Sequence, residues 1–159
     1  MELTRNFDVH RHRFAAQAWA LICTFVLGTC CAVAQAPPSV TVTDAWVRVT
    51  PGSDVAAAYL TLRNDGKKPI TIVAVESPVA THAMIHETKI EAGMSRMRQR
   101  DQLVVAPGKT VRLEPEGMHV MLHGISQTLT PGQTVPLVLQ FSDGVSLHIN
   151  ATVRPLTAQ

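Results

Sequence analysis

Methionine and histidine are concentrated in one part of this 159-residue chain. Residues 82–123 contain five of the six methionines and four of the seven histidines, namely Met84, Met94, Met97, Met118, Met121, His82, His86, His119 and His123. Methionines that only fill a core would be scattered over the whole sequence. Thioether sulfur and neutral imidazole nitrogen together form a soft ligand set, which favours Cu(I) over ions that prefer thiolates or oxygen ligands.

The spacing of these residues predicts that several of them share one site. His119 and Met121 are two residues apart on a predicted strand, so both side chains point to one face while their neighbours enter the core. His86 ends an alternating stretch of the preceding strand. Met97 lies in residues 91–100, which we expect to be irregular and to fold over the site. Three chain segments would then meet at one metal ion.

The other residues of the cluster are assigned more ordinary roles. His82 shares a strand face with His86 and could replace it as a ligand if the register differs by two residues. Met84 and Met94 are expected to fill the core or shield the site rather than bind metal. His123 is followed by a glycine, which favours an exposed strand end.

Short β-rich runs separated by turn residues must position these side chains. The runs recur at intervals of roughly 8 to 14 residues, which is typical of an antiparallel sandwich. Strands are predicted at residues 40–48, 56–63, 70–75, 81–86, 103–105, 110–113, 119–122, 135–141 and 145–153. The fold class predicted is therefore all-β, an antiparallel Greek-key sandwich. Trp46 and Tyr59 are expected in or near its core, and Asp44 is expected to pair with Arg48.

The first residues have the pattern of a secretory signal peptide. An apolar stretch at residues 18–27 follows a positive flank, and a small-x-small site favours cleavage after Ala34. The chain is thus divided into a signal peptide at 1–34 and a β-sandwich domain at 35–159, located in the periplasm with no stable membrane insertion after cleavage. An uncleaved anchor and a lipoprotein acylated at Cys30 are the weaker alternatives.

Composition excludes several classes of function. All three cysteines precede residue 35, so the domain has no thiol, which excludes a blue-copper electron carrier and a thiol oxidoreductase. The net charge is only +2 and both signs are interleaved, so nucleic acid is not an expected partner. No nucleophile and base occur in a recognisable context, so we expect no enzymatic activity.

The four candidate ligands also occur at a recognisable spacing. Met97 follows His86 after ten residues, His119 follows after twenty-one more, and Met121 after one more. This pattern resembles the metal motif of the periplasmic copper chaperone family PCuAC. Further blocks that resemble this family lie at residues 44–48, 58–62, 85–88, 93–98 and 119–122.

The resemblance to PCuAC implies a fold and a function. It implies a cupredoxin-like sandwich that binds one Cu(I) ion through His86, Met97, His119 and Met121. It also implies a periplasmic metallochaperone that supplies copper for cytochrome c oxidase assembly, with the oxidase copper subunit and/or a Sco-type protein as partners. A periplasmic copper buffer without a dedicated recipient stays open, as does a metal-free β-sandwich interaction module.

Overall fold

The computed structural model describes residues 39–156, and the predicted signal peptide lies outside them. Ten strands form this part of the chain: β1 (Val40–Val49), β2 (Val55–Asn64), β3 (Ile70–Glu76), β4 (Ala80–Glu91), β5 (Met94–Arg100), β6 (Leu103–Val105), β7 (Thr110–Leu113), β8 (Met118–Ile125), β9 (Thr134–Phe141) and β10 (Ser146–Arg154). Residues 39–156 include no helix that is long and apolar enough to cross a membrane.

The strands are joined in one hydrogen-bonded sheet that lines a common core. Its order is β5-β4-β8-β2-β1-β10-β9-β3-β6, with β7 paired to β2. β1 and β10 are parallel, and the other pairs are antiparallel. β2 pairs with β8 along its first half and with β7 along its second half. All nine predicted strands are present, and the predicted all-β, cupredoxin-like sandwich is confirmed.

Alternating apolar residues build the core, as the sequence pattern predicts. On β2, Ala58, Leu60 and Leu62 are buried on one face. On β9, Leu137 and Leu139 enter the same core from another part of the sheet. The residues between them along each strand point to the opposite face, which is where the candidate ligands of β4 and β8 lie.

Residues 91–100 do not form the irregular segment that we expected. β4 continues to Glu91, and β5 returns beside it after a two-residue turn at Ala92 and Gly93. Both turn residues have positive φ, 52° and 78°, which is the conformation that tight hairpin turns require. Glu91 also forms ion pairs with Arg96 and Arg98 across the hairpin, at 3.6 and 3.1 Å. Met97 therefore lies on a regular strand at the edge of the sheet.

Candidate metal centre

β8 carries two candidate ligands on the face opposite the core. Val120 and Leu122 are completely buried in the core, so His119 and Met121 project to the other side of the sheet. His119 is nevertheless only 5% exposed, because neighbouring side chains cover it. β8 lies between β4 and β2, so these two side chains are held by a strand that is paired on both sides.

β4 places three further candidate ligands directly opposite those of β8. The two strands are antiparallel, and three cross-strand pairs face away from the core, namely His86 with His119, Met84 with Met121, and His82 with His123. Directly opposite residues have Cβ atoms about 4.5–5.5 Å apart. The ring centroids of His86 and His119 are 6.1 Å apart, with the planes nearly perpendicular.

Met97 reaches the same place from β5. Its partner across the hairpin is Thr88, while His86 is opposite Gln99, so Met97 and His86 are diagonal neighbours. The Nδ1 atom of His86 and the Sδ atom of Met97 lie 3.2 Å apart. A tetrahedral closed-shell ion at about 2.0 Å from nitrogen and about 2.3 Å from sulfur would hold such atoms about 3.5 Å apart. One ion could therefore bind both side chains without movement of the backbone.

A backbone contact fixes the orientation of the His119 imidazole. Its Nδ1 atom lies 3.1 Å from the carbonyl oxygen of Gly117. Because a carbonyl oxygen only accepts hydrogen bonds, Nδ1 carries the proton and Nε2 keeps a free lone pair. Hydrogen bonds of this kind orient metal-binding histidines and set their tautomer.

The surroundings of His86 favour its neutral form. Burial lowers the pKa of His86 below its ordinary value, and the imidazoles of His119 and His123 lower it further. A neutral imidazole has a free lone pair, which metal binding requires. His86 therefore stays able to bind metal at a lower pH than an ordinary exposed histidine does.

An aromatic and cationic layer adjoins the candidate ligands. The rings of Trp46 and Tyr59 are 4.4 Å apart, and the Tyr59 ring lies 6.3 Å from that of His119. The guanidinium of Arg48 lies over both aromatic rings, at 5.2 Å from Tyr59 and 5.5 Å from Trp46. Burial raises the pKa of Tyr59, and the charge of Arg48 offsets part of this rise. Tyr59 is thus a neutral neighbour at pH 7 rather than an anionic ligand.

Trp46 and Tyr59 are buried, as expected, and they pack on the ligand face of the sheet. The expected pairing of Asp44 with Arg48 is wrong. Asp44 contacts Arg154 and not Arg48. The parallel pairing of β1 with β10 places Arg154 beside Arg48. The Arg154 guanidinium lies over the Trp46 ring and reaches Asp44, which has a φ of 51° at a bulge in β1. Arg48 stacks on the aromatic rings instead.

The structure brings the four sequence-predicted site residues to one region of the sheet. His86 contacts Met97 and lies opposite His119, and Met97, His119 and Met121 line one surface depression. Met97 is 53% exposed at the edge of this depression. Among residues 39–156, no three histidine, aspartate or glutamate side chains are grouped as metal ligands. The candidate ligands on this face are imidazole nitrogens together with thioether sulfurs.

The structure differs from two expectations, the exposed strand end at His123 and a core-filling role for Met94, whereas shielding of the site by Met94 stays a prediction. β8 continues through Gly124 to Ile125, so His123 is half-buried and its ring lies 6.4 Å from that of His86. The alternation of His119, Met121 and His123 in the sequence could have indicated that His123 continues the same strand face. Met94 is 55% exposed at the end of the hairpin and fills no core.

The fold and the site together define a class: a cupredoxin-like sandwich with a histidine and methionine cluster on its outer face. A model of the family described as "Putative lipoprotein LpqE-like" matches residues 40–153. The "Putative lipoprotein Lxx21020" of Leifsonia xyli subsp. xyli is 32% identical over 116 residues, which are 72% of this chain and 69% of that protein. The chain belongs to the LpqE-like family.

Solved structures with the same fold include PCuAC domains. CuI-DR1885 from Deinococcus radiodurans is 38% identical, with a TM-score of 0.62 over 79% of this chain and 85% of that chain. The copper-bound PCuAC domain from PmoF2 is 23% identical, with a TM-score of 0.64 over 76% of this chain and 96% of that chain. The second similarity concerns the fold alone. The resemblance to the PCuAC family that the sequence indicated is confirmed.

Proposed function

We propose that this protein is an exported metallochaperone that binds one Cu(I) ion through His86, Met97, His119 and Met121. The observation that carries the proposal is the 3.2 Å approach of His86 to Met97 directly beside His119. All four ligands are neutral, which suits a singly charged soft ion better than a divalent one. The 38% identity to CuI-DR1885, a Cu(I)-containing protein, supports Cu(I) as the bound ion.

The positions of the ligands suit a protein that gives up its metal. His119 and Met121 are held on an internal strand, whereas Met97 lies on the edge strand β5 and is half exposed. An incoming ligand can reach the ion from the side of Met97 while His119 still holds it. Thioethers need no deprotonation to bind Cu(I) and cannot form disulfides in an oxidising compartment.

Export is part of the proposal. The residues before position 35 have the charge and hydropathy pattern of a signal peptide. The family and the Leifsonia relative are described as lipoproteins, a class of exported proteins. The proposed arrangement is a signal peptide at 1–34 followed by a periplasmic copper-binding domain at 35–159.

Copper binding is tested by replacing both β8 ligands. The His119→Ala/Met121→Ala variant should lose stoichiometric Cu(I) binding and still fold, because both side chains lie outside the core. His148→Ala, on the exposed face of β10, is the matched control and should bind like the wild type. Copper stoichiometry and X-ray absorption on anaerobically loaded protein give the readout. Full binding by the double variant would refute the ligand assignment.

The recipient is proposed to be the copper subunit of cytochrome c oxidase, loaded directly or through a Sco-type thiol protein. Deletion of the gene should lower oxidase activity at limiting copper, and added copper should restore it. Complementation with the His119→Ala/Met121→Ala variant should fail, while His148→Ala should succeed. Normal oxidase activity together with increased copper sensitivity in the deletion strain would instead indicate a copper buffer.

A further inference from the structure

The pairs on β4 and β8 contain more metal-binding side chains than one copper site uses. The proposed site takes both members of the His86 and His119 pair, and Met121 from the next pair. Three side chains on the same face then have no assigned role, namely His82, Met84 and His123. His82 and His123 are directly opposite each other, and Met84 is next to His82 on the same face of β4.

His123 provides an independent sign of a missing partner. Its Nε2 atom is buried, and no hydrogen-bond partner for it exists within residues 39–156. Nearly all buried polar side-chain atoms in proteins have a partner, so an unpaired one requires an explanation. His82 lies directly opposite His123, and Met84 is its diagonal neighbour on the same face. Two imidazoles and one thioether form a donor set that suits a soft metal ion, which binds the neutral form of each imidazole.

We propose that His82, Met84 and His123 form a second Cu(I) position next to the first. The inference rests on the proposed function, because it assumes that Cu(I) occupies the first position. Successive pairs on one strand face are about 6.8 Å apart, so the backbones of the first and third pairs are about 14 Å apart. The ring of His123 nevertheless lies 6.4 Å from that of His86, so the second position adjoins the first. The methionine pair of Met84 and Met121 lies between the first and third pairs and offers a thioether to each.

The two positions allow an ion to move along the sheet by ligand exchange. An ion at the second position would pass from His82 and His123 to Met121 and then His119 by ligand exchange, with no change of oxidation state. His82 is exposed, so the second position is open to solvent and binds more weakly than the first. The second position serves as the point at which copper enters the first, and transfer to a recipient takes place on the side of Met97.

Competitive titration with Cu(I) tests this proposal. The processed protein, purified from the cell that exports it, is titrated anaerobically against a Cu(I) chelator. The wild type should bind two equivalents, the second at least tenfold more weakly. His82→Ala/His123→Ala should bind one equivalent. The matched control His148→Ala removes an exposed histidine elsewhere and should bind two.

Met84→Leu keeps the test decisive if the double histidine variant fails to fold. It preserves the size of the side chain, removes the thioether, and should weaken only the second equivalent. A single equivalent in the wild type, or a second one that survives both sets of changes, overturns the second position and leaves the proposed function intact. No bound copper in the wild type overturns both.

Discussion

Replacement of Met97 by leucine separates metal binding from folding. Leucine has nearly the same volume as methionine but no sulfur atom. Met97 lies on the edge strand with 53% of its surface exposed, so the substitution should change the free energy of unfolding of the copper-free protein by no more than about 0.5 kcal/mol. The sulfur that lies 3.2 Å from His86 Nδ1 is lost.

The loss of affinity can be bounded from the geometry. Changes to groups that only orient a metal ligand lower affinity about 10–100-fold. Removing a ligand itself should reach at least the upper value, about 2.7 kcal/mol. At a fixed excess of free Cu(I), bound copper then raises the free energy of unfolding of Met97→Leu by about 2.7 kcal/mol less than that of the wild type. In a domain of this size, the copper-induced rise in Tm should shrink by about 10 °C.

Thermal unfolding at several buffered Cu(I) concentrations measures this difference. Met94→Leu is a matched control, because Met94 lies on the same strand with 55% of its surface exposed. Its copper-induced rise in Tm should equal that of the wild type. An unchanged rise for Met97→Leu, or equal losses for the two variants, would refute a role for the Met97 sulfur.

Three further expectations concern the scaffold. Gly93→Ala should destabilise the hairpin by about 1–2 kcal/mol, because residue 93 has a φ of 78°, and it should weaken Cu(I) binding in proportion, as chemical denaturation and titration would show. Asn64→Ala should cost about 2–4 kcal/mol of unfolding free energy, because its buried amide donates to Val105 O at 2.9 Å, with Cu(I) affinity unchanged. Hydrogen bonds from Thr41 and Arg63 lower the pKa of Asp65, so stability is lost as the pH falls through that lowered pKa. The free energy of unfolding of Asp65→Asn should depend less on pH over that acidic range than that of the wild type. An equal dependence on pH in the two proteins would contradict this.

Alternation of apolar residues made most strands predictable. Strand β5 lacks this alternation, which explains why the sequence did not predict it. On β2 and β9, every second residue is buried, so the period of two is visible in the sequence. Every residue of β5 is exposed, so no apolar period marks it as a strand. The hairpin instead depends on a turn with an alanine at positive φ, Ala92, which does not match the usual hairpin turn sequences.

The candidate site was predictable within one strand but not between strands. The spacing of His119 and Met121 indicated that they share a face, which the structure bears out. The register that places His82 opposite His123 depends on pairing between β4 and β8, which alternation along a single strand does not fix. The contact between Asp44 and Arg154 joins residues 110 positions apart, and the local sequence suggested Arg48 instead.

The order in which the ligands release copper follows from their places in the sheet. His119 is 5% exposed, oriented by Gly117 and held on an internal strand, whereas Met97 is half exposed on an edge strand. An attacking ligand should therefore displace Met97 first and His119 last. Affinity changes within one site arise mainly from dissociation rates, so Met97→Leu should accelerate Cu(I) transfer to a chelator roughly in proportion to its loss of affinity. Stopped-flow transfer at increasing chelator concentration measures this rate, and transfer as slow as in the wild type would show that another ligand leaves first.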